Sequence, residues 1–180
     1  MDDCSVELDP ETELYCTLHL FANVINTPEI REKLVAGKLR CCVAKASLIT
    51  DVHQVVVAAN KAALNAKRNK LITRTVYTEV LFCLSTSKNI SRSLAEFGIS
   101  DSNKNILVIL IHKLGEEQAM LEEVLGSVKG ERIPISRLNE FTDVNLIKKT
   151  YKIGEDELRV SSLADTVISR ISCKEFILSK

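Results

Sequence analysis

The sequence predicts one compact α/β domain, a small sheet with helices packed on it. Three observations carry that expectation. Residues 105–112 (NILVILIH) form a short, nearly continuous apolar run rich in Ile and Val, the pattern of a central strand covered on both faces. Leu14 to Ala22 (LYCTLHLFA) alternates as a second strand. Several longer stretches instead repeat apolar residues at helical spacing. The 180-residue chain can bury a substantial core and shows no internal repeat or linker, so 1–180 reads as a single domain.

The alternation of the first strand puts Leu14, Cys16, Leu18 and Leu20 on one face, with His19 expected on the opposite, solvent face. Asn26-Thr27-Pro28-Glu29 reads as a helix start, with Thr27 as cap and Pro28 in the first turn. Ile30, Leu34 and Val35 form its expected buried face, and Gly37 its stop. Residues 41–50 (CCVAKASLIT) supply one or two short strands. Asp51 then caps a long helix whose stripe, Val56, Ala59, Ala63 and Ala66, is mostly alanine and admits a close neighbour. Lys70 to Arg74 breaks the apolar pattern as a turn or the start of another helix, and Val76, Val80, Leu81 and Leu84 favour a helix over a strand.

Ser87-Lys88-Asn89 is a loop, after which Asn89 or Ser91 caps a helix through Phe97 that Gly98 ends in a left-handed conformation. Beyond the central strand, Leu114-Gly115 turns the chain into an amphipathic helix, Glu116 to Val128, with Met120, Leu121, Val124 and Leu125 inward. A short strand, Glu131 to Ile135, follows, and Asp143 caps a helix carrying Val144, Ile147 and Tyr151. Glu155 to Phe176 reads as one final helix. Its apolar stripe of Val160, Leu163, Ala164, Val167, Ile168 and Ile171 is wider than one core face needs.

Lys plus Arg equals Asp plus Glu at 24 each, so no global charge points to nucleic acid or membrane. The asymmetry is local. Between Val52 and Thr78 stand Lys61, Lys67, Arg68, Lys70 and Arg74 with no acidic residue, and this packed helix with its basic continuation is the main functional signal. Cys4, Cys16, Cys41, Cys42, Cys83 and Cys173 include no C-x-x-C pair and the three histidines are scattered, so free thiols in a reducing compartment are expected, with no metal and no cofactor. The acidic start MDDCSVELDPETE lacks the features of a signal peptide, and no uncharged apolar run reaches the ~20 residues that span a bilayer. The expectation is a protein of the cytoplasm and nucleus with no membrane partner. No nucleophile elbow, phosphate loop, dinucleotide fingerprint or zinc-protease motif occurs, and Glu116–Glu117 and Glu122–Glu123 fit a solvated helix face, so an enzyme is not expected.

VAANKA (57–62), TRTVYTEVLFCLS (73–85) and NISRSLAEFGIS (89–100), in this order and spacing, resemble one family. It is that of the TPRKB-like PRPK-binding proteins, the small kinase-binding subunits of the KEOPS (EKC) complex. The similarity extends into KKTYK (148–152) and a C-terminal helix ending in SCKE (172–175), while Ser85-Thr86-Ser87 stands where relatives tend to carry a Pro- or Gly-containing turn. The resemblance implies an α+β fold, a small and mainly antiparallel sheet flanked by several helices. It implies a non-catalytic subunit that docks on the N-terminal lobe of an atypical PRPK-like kinase and meets the other subunits through it. It also implies help in holding tRNA, particularly its 3′ end, while another subunit makes threonylcarbamoyladenosine (t6A).

The residues suited to these roles follow from the features above. Val144, Ile147, Tyr151, Leu163, Val167, Ile168 and Ile171 are the candidate kinase-binding positions. Lys61, Lys67, Arg68, Lys70 and Arg74 are placed to meet phosphates, with Asn60 for a base edge or sugar. Two other expectations compete: a regulator of a PRPK-like kinase that never touches RNA, and a small-molecule-binding or enzymatic domain with a polar-lined pocket.

Overall fold

The computed structural model describes residues 4–176. Among them, β1 (Cys4–Glu7), β2 (Tyr15–Ala22), β3 (Cys42–Lys45), β4 (Ile106–His112) and β5 (Glu131–Ile133) form one sheet. Its order is β1-β2-β4-β3, with β5 also on β2, and every pairing is antiparallel. The helices are α1 (Thr27–Val35), α2 (Val52–Lys67), α3 (Val76–Leu84), α4 (Ile90–Phe97), α5 (Glu117–Leu125), α6 (Val144–Tyr151), α7 (Glu155–Leu158) and α8 (Leu163–Ser172). The chain is an α+β domain.

Register explains the layering. Leu18 opposes Ile109, which opposes Cys42, and Leu20 opposes Leu107, which opposes Ala44. That face packs with α2, α3, α6 and α8 into one core. On the other face Phe21, Ile106, Val108, Leu110 and Val43 pack with Ile30 of α1 and with Met120, Leu121 and Val124 of α5. A sheet sandwiched this way has no solvent face, so the expectation for His19 is corrected. It lies opposite Val108, 1% exposed, with its Nδ1 3.0 Å from Nη2 of Arg132.

Local chemistry sets most boundaries. The Asp51 carboxylate accepts from the His53 amide at 2.7 Å and starts α2. The buried stripe of α2 is Val55, Ala58, Ala59, Ala62 and Ala63, rotated one residue from the expected one, and its alanines let α3 and α8 approach. Thr75 and Thr78 form a capping box on α3, which is a helix as its spacing favoured, and Asn89 caps α4. Thr27 is not a cap: Asn26 holds that position, and the Thr27 hydroxyl donates to the Asn103 carbonyl. Gly37 stops α1 at φ +67. Gly98 has an ordinary φ of −68, and glycine is needed there for a close approach, because a Cβ would sit 2.5 Å from the Leu94 carbonyl oxygen. Ser85 and Ser87 build their turn by accepting from the Ser87 and Asn89 amides, so neither proline nor glycine is required.

Three further expectations are overturned. Val35 and Leu125, expected inward, point outward. The final segment is not one helix: α7 ends after one turn, Val160 stands exposed at the corner, and Ser162 caps α8 by accepting from the Asp165 amide. The cap competes with helix continuation at that point, which a wide apolar stripe does not reveal.

Candidate functional site

The basic segment lies along and beyond the outer side of α2. A cleft of about 620 Å³ runs there, between the Leu8–Asp9 turn and the end of α8, lined among others by Asn60, Lys61, Leu64, Arg68 and Glu175. Three of the six candidate RNA-binding residues are engaged within the fold. The Asn60 Oδ1 accepts from the Asp9 amide at 2.7 Å. The Lys61 ammonium donates to the carbonyls of Ile171 and Ser172 and to Glu175, closing the C-terminal, partially negative end of α8. Arg68 makes a two-pronged pair with Glu11, at 3.0 and 2.5 Å, which holds the Glu11 carboxyl below its ordinary value. A stretch without acids in sequence therefore meets acids in space, brought from 57 and 114 residues away. Lys67, Lys70 and Arg74 are different. They are exposed and form no ion pair among the described residues.

The loop that carries Lys70 and Arg74 is fastened from below. Glu79 on α3 is fully buried, and its carboxylate accepts from the Thr73 amide (2.8 Å), the Thr73 hydroxyl (2.7 Å), the Ile72 amide (3.1 Å) and the Asn65 side chain (3.0 Å). Sequence reasoning missed this residue, since a lone Glu on an apolar helix reads as its solvent edge.

The structure divides the seven candidate kinase-binding positions. Ile147, Tyr151, Val167 and Ile171 are core residues, and Tyr151 donates to the Leu84 carbonyl at 2.7 Å while accepting from Gln54. With almost no exposed surface, they pack α6 and α8 into the core. Leu163 is half-buried against the same core. Val144 and Ile168 keep exposed surface, joined by Leu146 and Val160, which the sequence did not single out for this role. Lys174 was also missed. Its ammonium lies 3.3 Å from the centroid of the Phe82 ring and donates to the Phe82 carbonyl, clasping the C-terminal turn to α3. Burial pulls this amine down to about 8, while the ring face favours its charged form.

All six cysteines are free, and burial pushes the Cys16, Cys41 and Cys83 thiols up to about 12. Among the described residues no cluster of His, Cys, Asp and Glu is arranged to hold a metal, and no helix is long and apolar enough to cross a membrane.

The layered antiparallel sheet and its flanking helices define a small α+β domain. Residues 21–175 match the family described as Kinase binding protein CGI-121, and the chain belongs to that family. It is 36% identical over 163 residues to the EKC/KEOPS complex subunit TPRKB of Danio rerio, covering 91% of this chain and 93% of the relative. It is 33% identical over 151 residues to the EKC/KEOPS complex subunit CGI121 of Eremothecium gossypii (80% and 82% covered). With the subunit of that name from Candida glabrata it shares 29% over 164 residues, covering 90% of each chain.

Proposed function

We propose that this chain is a non-catalytic subunit of a KEOPS/EKC-type complex that binds the complex's small atypical kinase directly. In the same assembly it helps recruit tRNA for t6A modification, in the cytoplasm and nucleus. The observation that carries the reading is the family match over residues 21–175, which encloses both surfaces. The kinase docks on the exposed apolar rim of α6 and α8, at Val144, Leu163 and Ile168, with Ile147, Tyr151, Val167 and Ile171 holding the rim rigid. Lys67, Lys70 and Arg74 meet tRNA phosphates. Arg68 joins them by exchanging Glu11 for a phosphate, a cheap exchange because an exposed pair contributes little. Lys61 and Asn60 shape the cleft. The engagement of Asn60, Lys61 and Arg68 within the fold favours the second reading, kinase regulation without RNA contact.

Co-purification with the KEOPS-type kinase of the same cell tests the kinase interface. Ile168→Asp keeps the fold and loses the kinase, whereas Ile171→Asp, with its side chain in the core, does not fold. A pair that survives Ile168→Asp removes the α8 rim from the interface. For the RNA surface, neutralising Lys67, Lys70 and Arg74 lowers the slope of log affinity for tRNA against log salt by about 0.7–0.9 for each phosphate that is no longer neutralised. An unchanged slope moves the phosphate contacts to other residues, and no measurable tRNA affinity in the assembled complex selects the reading without RNA.

A further inference from the structure

A second cleft, of about 660 Å³, opens on the other side of α3 and shares no lining residue with the α2 cleft. Its floor is β3 with Cys41, and its walls are the end of α1 on one side and α3 with α4 on the other. The surface is aliphatic: Leu34, Val35, Leu39, Val43, Leu81 and Ile99 contribute to it. Val35 stands on the rim at 85% exposure, so the apolar surface continues out of the cleft. Burial pushes the Cys41 thiol of this floor up to about 12.

The charge pattern of the lining is one-sided. Arg31 and Arg40 belong to it, and no Asp or Glu does. Asp101 and Glu123 pair with these guanidinium groups from outside the lining, at 2.8 and 3.7 Å. Both arginines remain about half exposed or more, so several of their five N–H donors stay available.

We propose that this cleft is a docking site for an amphipathic segment of a partner protein that inserts aliphatic side chains and carries carboxylates at its flanks. An aliphatic groove between helices, of a size that takes several branched side chains, fits the apolar face of a helix. Single-stranded nucleic acid needs aromatic platforms, and Tyr77, itself half-buried, is the one aromatic residue in the lining. This surface is distinct from the α6–α8 rim, and the inference stands whether or not the kinase binds there.

The test uses the full chain and a fluorescein-labelled helical peptide of about twelve residues, with Leu at i, i+3 and i+7 and Glu at both ends. A second peptide carries Lys in place of Glu, and decanoate and a short single-stranded RNA serve as competitors. The expected result is saturable anisotropy with the Glu peptide and at least about tenfold weaker binding of the Lys peptide. Val35→Asp and Arg40→Glu, both at exposed positions and checked for folding by circular dichroism, weaken the Glu peptide by about the same factor, and Arg40→Glu improves the Lys peptide. No binding of the Glu peptide, or binding indifferent to both substitutions, overturns the proposal. Binding of decanoate or RNA in the cleft without the Glu peptide overturns it as well and assigns the cleft to that ligand.

Discussion

Replacing Glu79 with alanine removes the acceptor that four donors share beneath the α2–α3 loop. Hydrogen bonds to a charged group contribute about 1.5–3 kcal/mol each, but they do not add. The Ile72 and Thr73 amides belong to a loop that water can reach, and losing the buried charge relieves its own desolvation. These opposing effects leave a net loss of about 2–4 kcal/mol. For a chain of this length each kcal/mol moves the midpoint about 2–4 °C, so the thermal unfolding midpoint by circular dichroism falls by about 4–16 °C. Hydrogen exchange by NMR speeds first at the Ile72 and Thr73 amides. Glu79→Gln loses about half as much, since one oxygen still serves the Thr73 amide and hydroxyl and the Asn65 amide can turn to meet the new NH2 group. A midpoint for the alanine variant within about 1 °C of the parent, with unchanged exchange at both amides, refutes the fastening role.

Gly98→Ala forces a Cβ against the Leu94 carbonyl and costs about 1–3 kcal/mol in urea unfolding, although φ there is ordinary. Ile147→Ala costs about 2–5 kcal/mol as a core cavity, while Val144→Ala on the same helix stays within about 0.5 kcal/mol in the same assay. Stability also depends on pH above neutrality. Cys16, Cys41 and Cys83 have folded values near 12 against an ordinary 9.0, so their stabilisation is complete below 9.0 and is lost as pH rises toward 12. Lys174 has the opposite sign: its folded value is about 8 against an ordinary 10.5, and stability from it rises between those limits. Urea midpoints from pH 8 to 10.5 therefore fall more steeply in Lys174→Met than in the parent chain, and an equal or shallower fall contradicts the buried amine.

Much of the fold was legible because its determinants are local. The caps Asp51, Asn89 and Asp143 act on amides two or three residues away, and the run at Ile106–His112 is too short and too apolar for anything but a covered strand. The same locality explains the misreadings. The apolar spacing through Val160 continues across a corner because periodicity does not register a competing cap at Ser162. For the apolar candidates, sequence placed the residues on helices but did not show which side of each stripe faces inward.

Local propensity and hydrophobic period by themselves determined a small sheet with helices packed on it, the central strand and most helical segments, while the antiparallel α+β arrangement was implied by the family resemblance. Only the tertiary structure decided the exposure and charge of the surfaces. His19 is buried because helices cover both faces of the sheet, and four of seven apolar candidates are core because α6 and α8 lie against it. Lys61 and Arg68 meet Glu175 and Glu11, leaving Lys67, Lys70 and Arg74 as the outward cations. The physical reason is range: backbone preferences are settled within a few residues, whereas burial and ion pairing depend on groups that the fold brings from far along the chain.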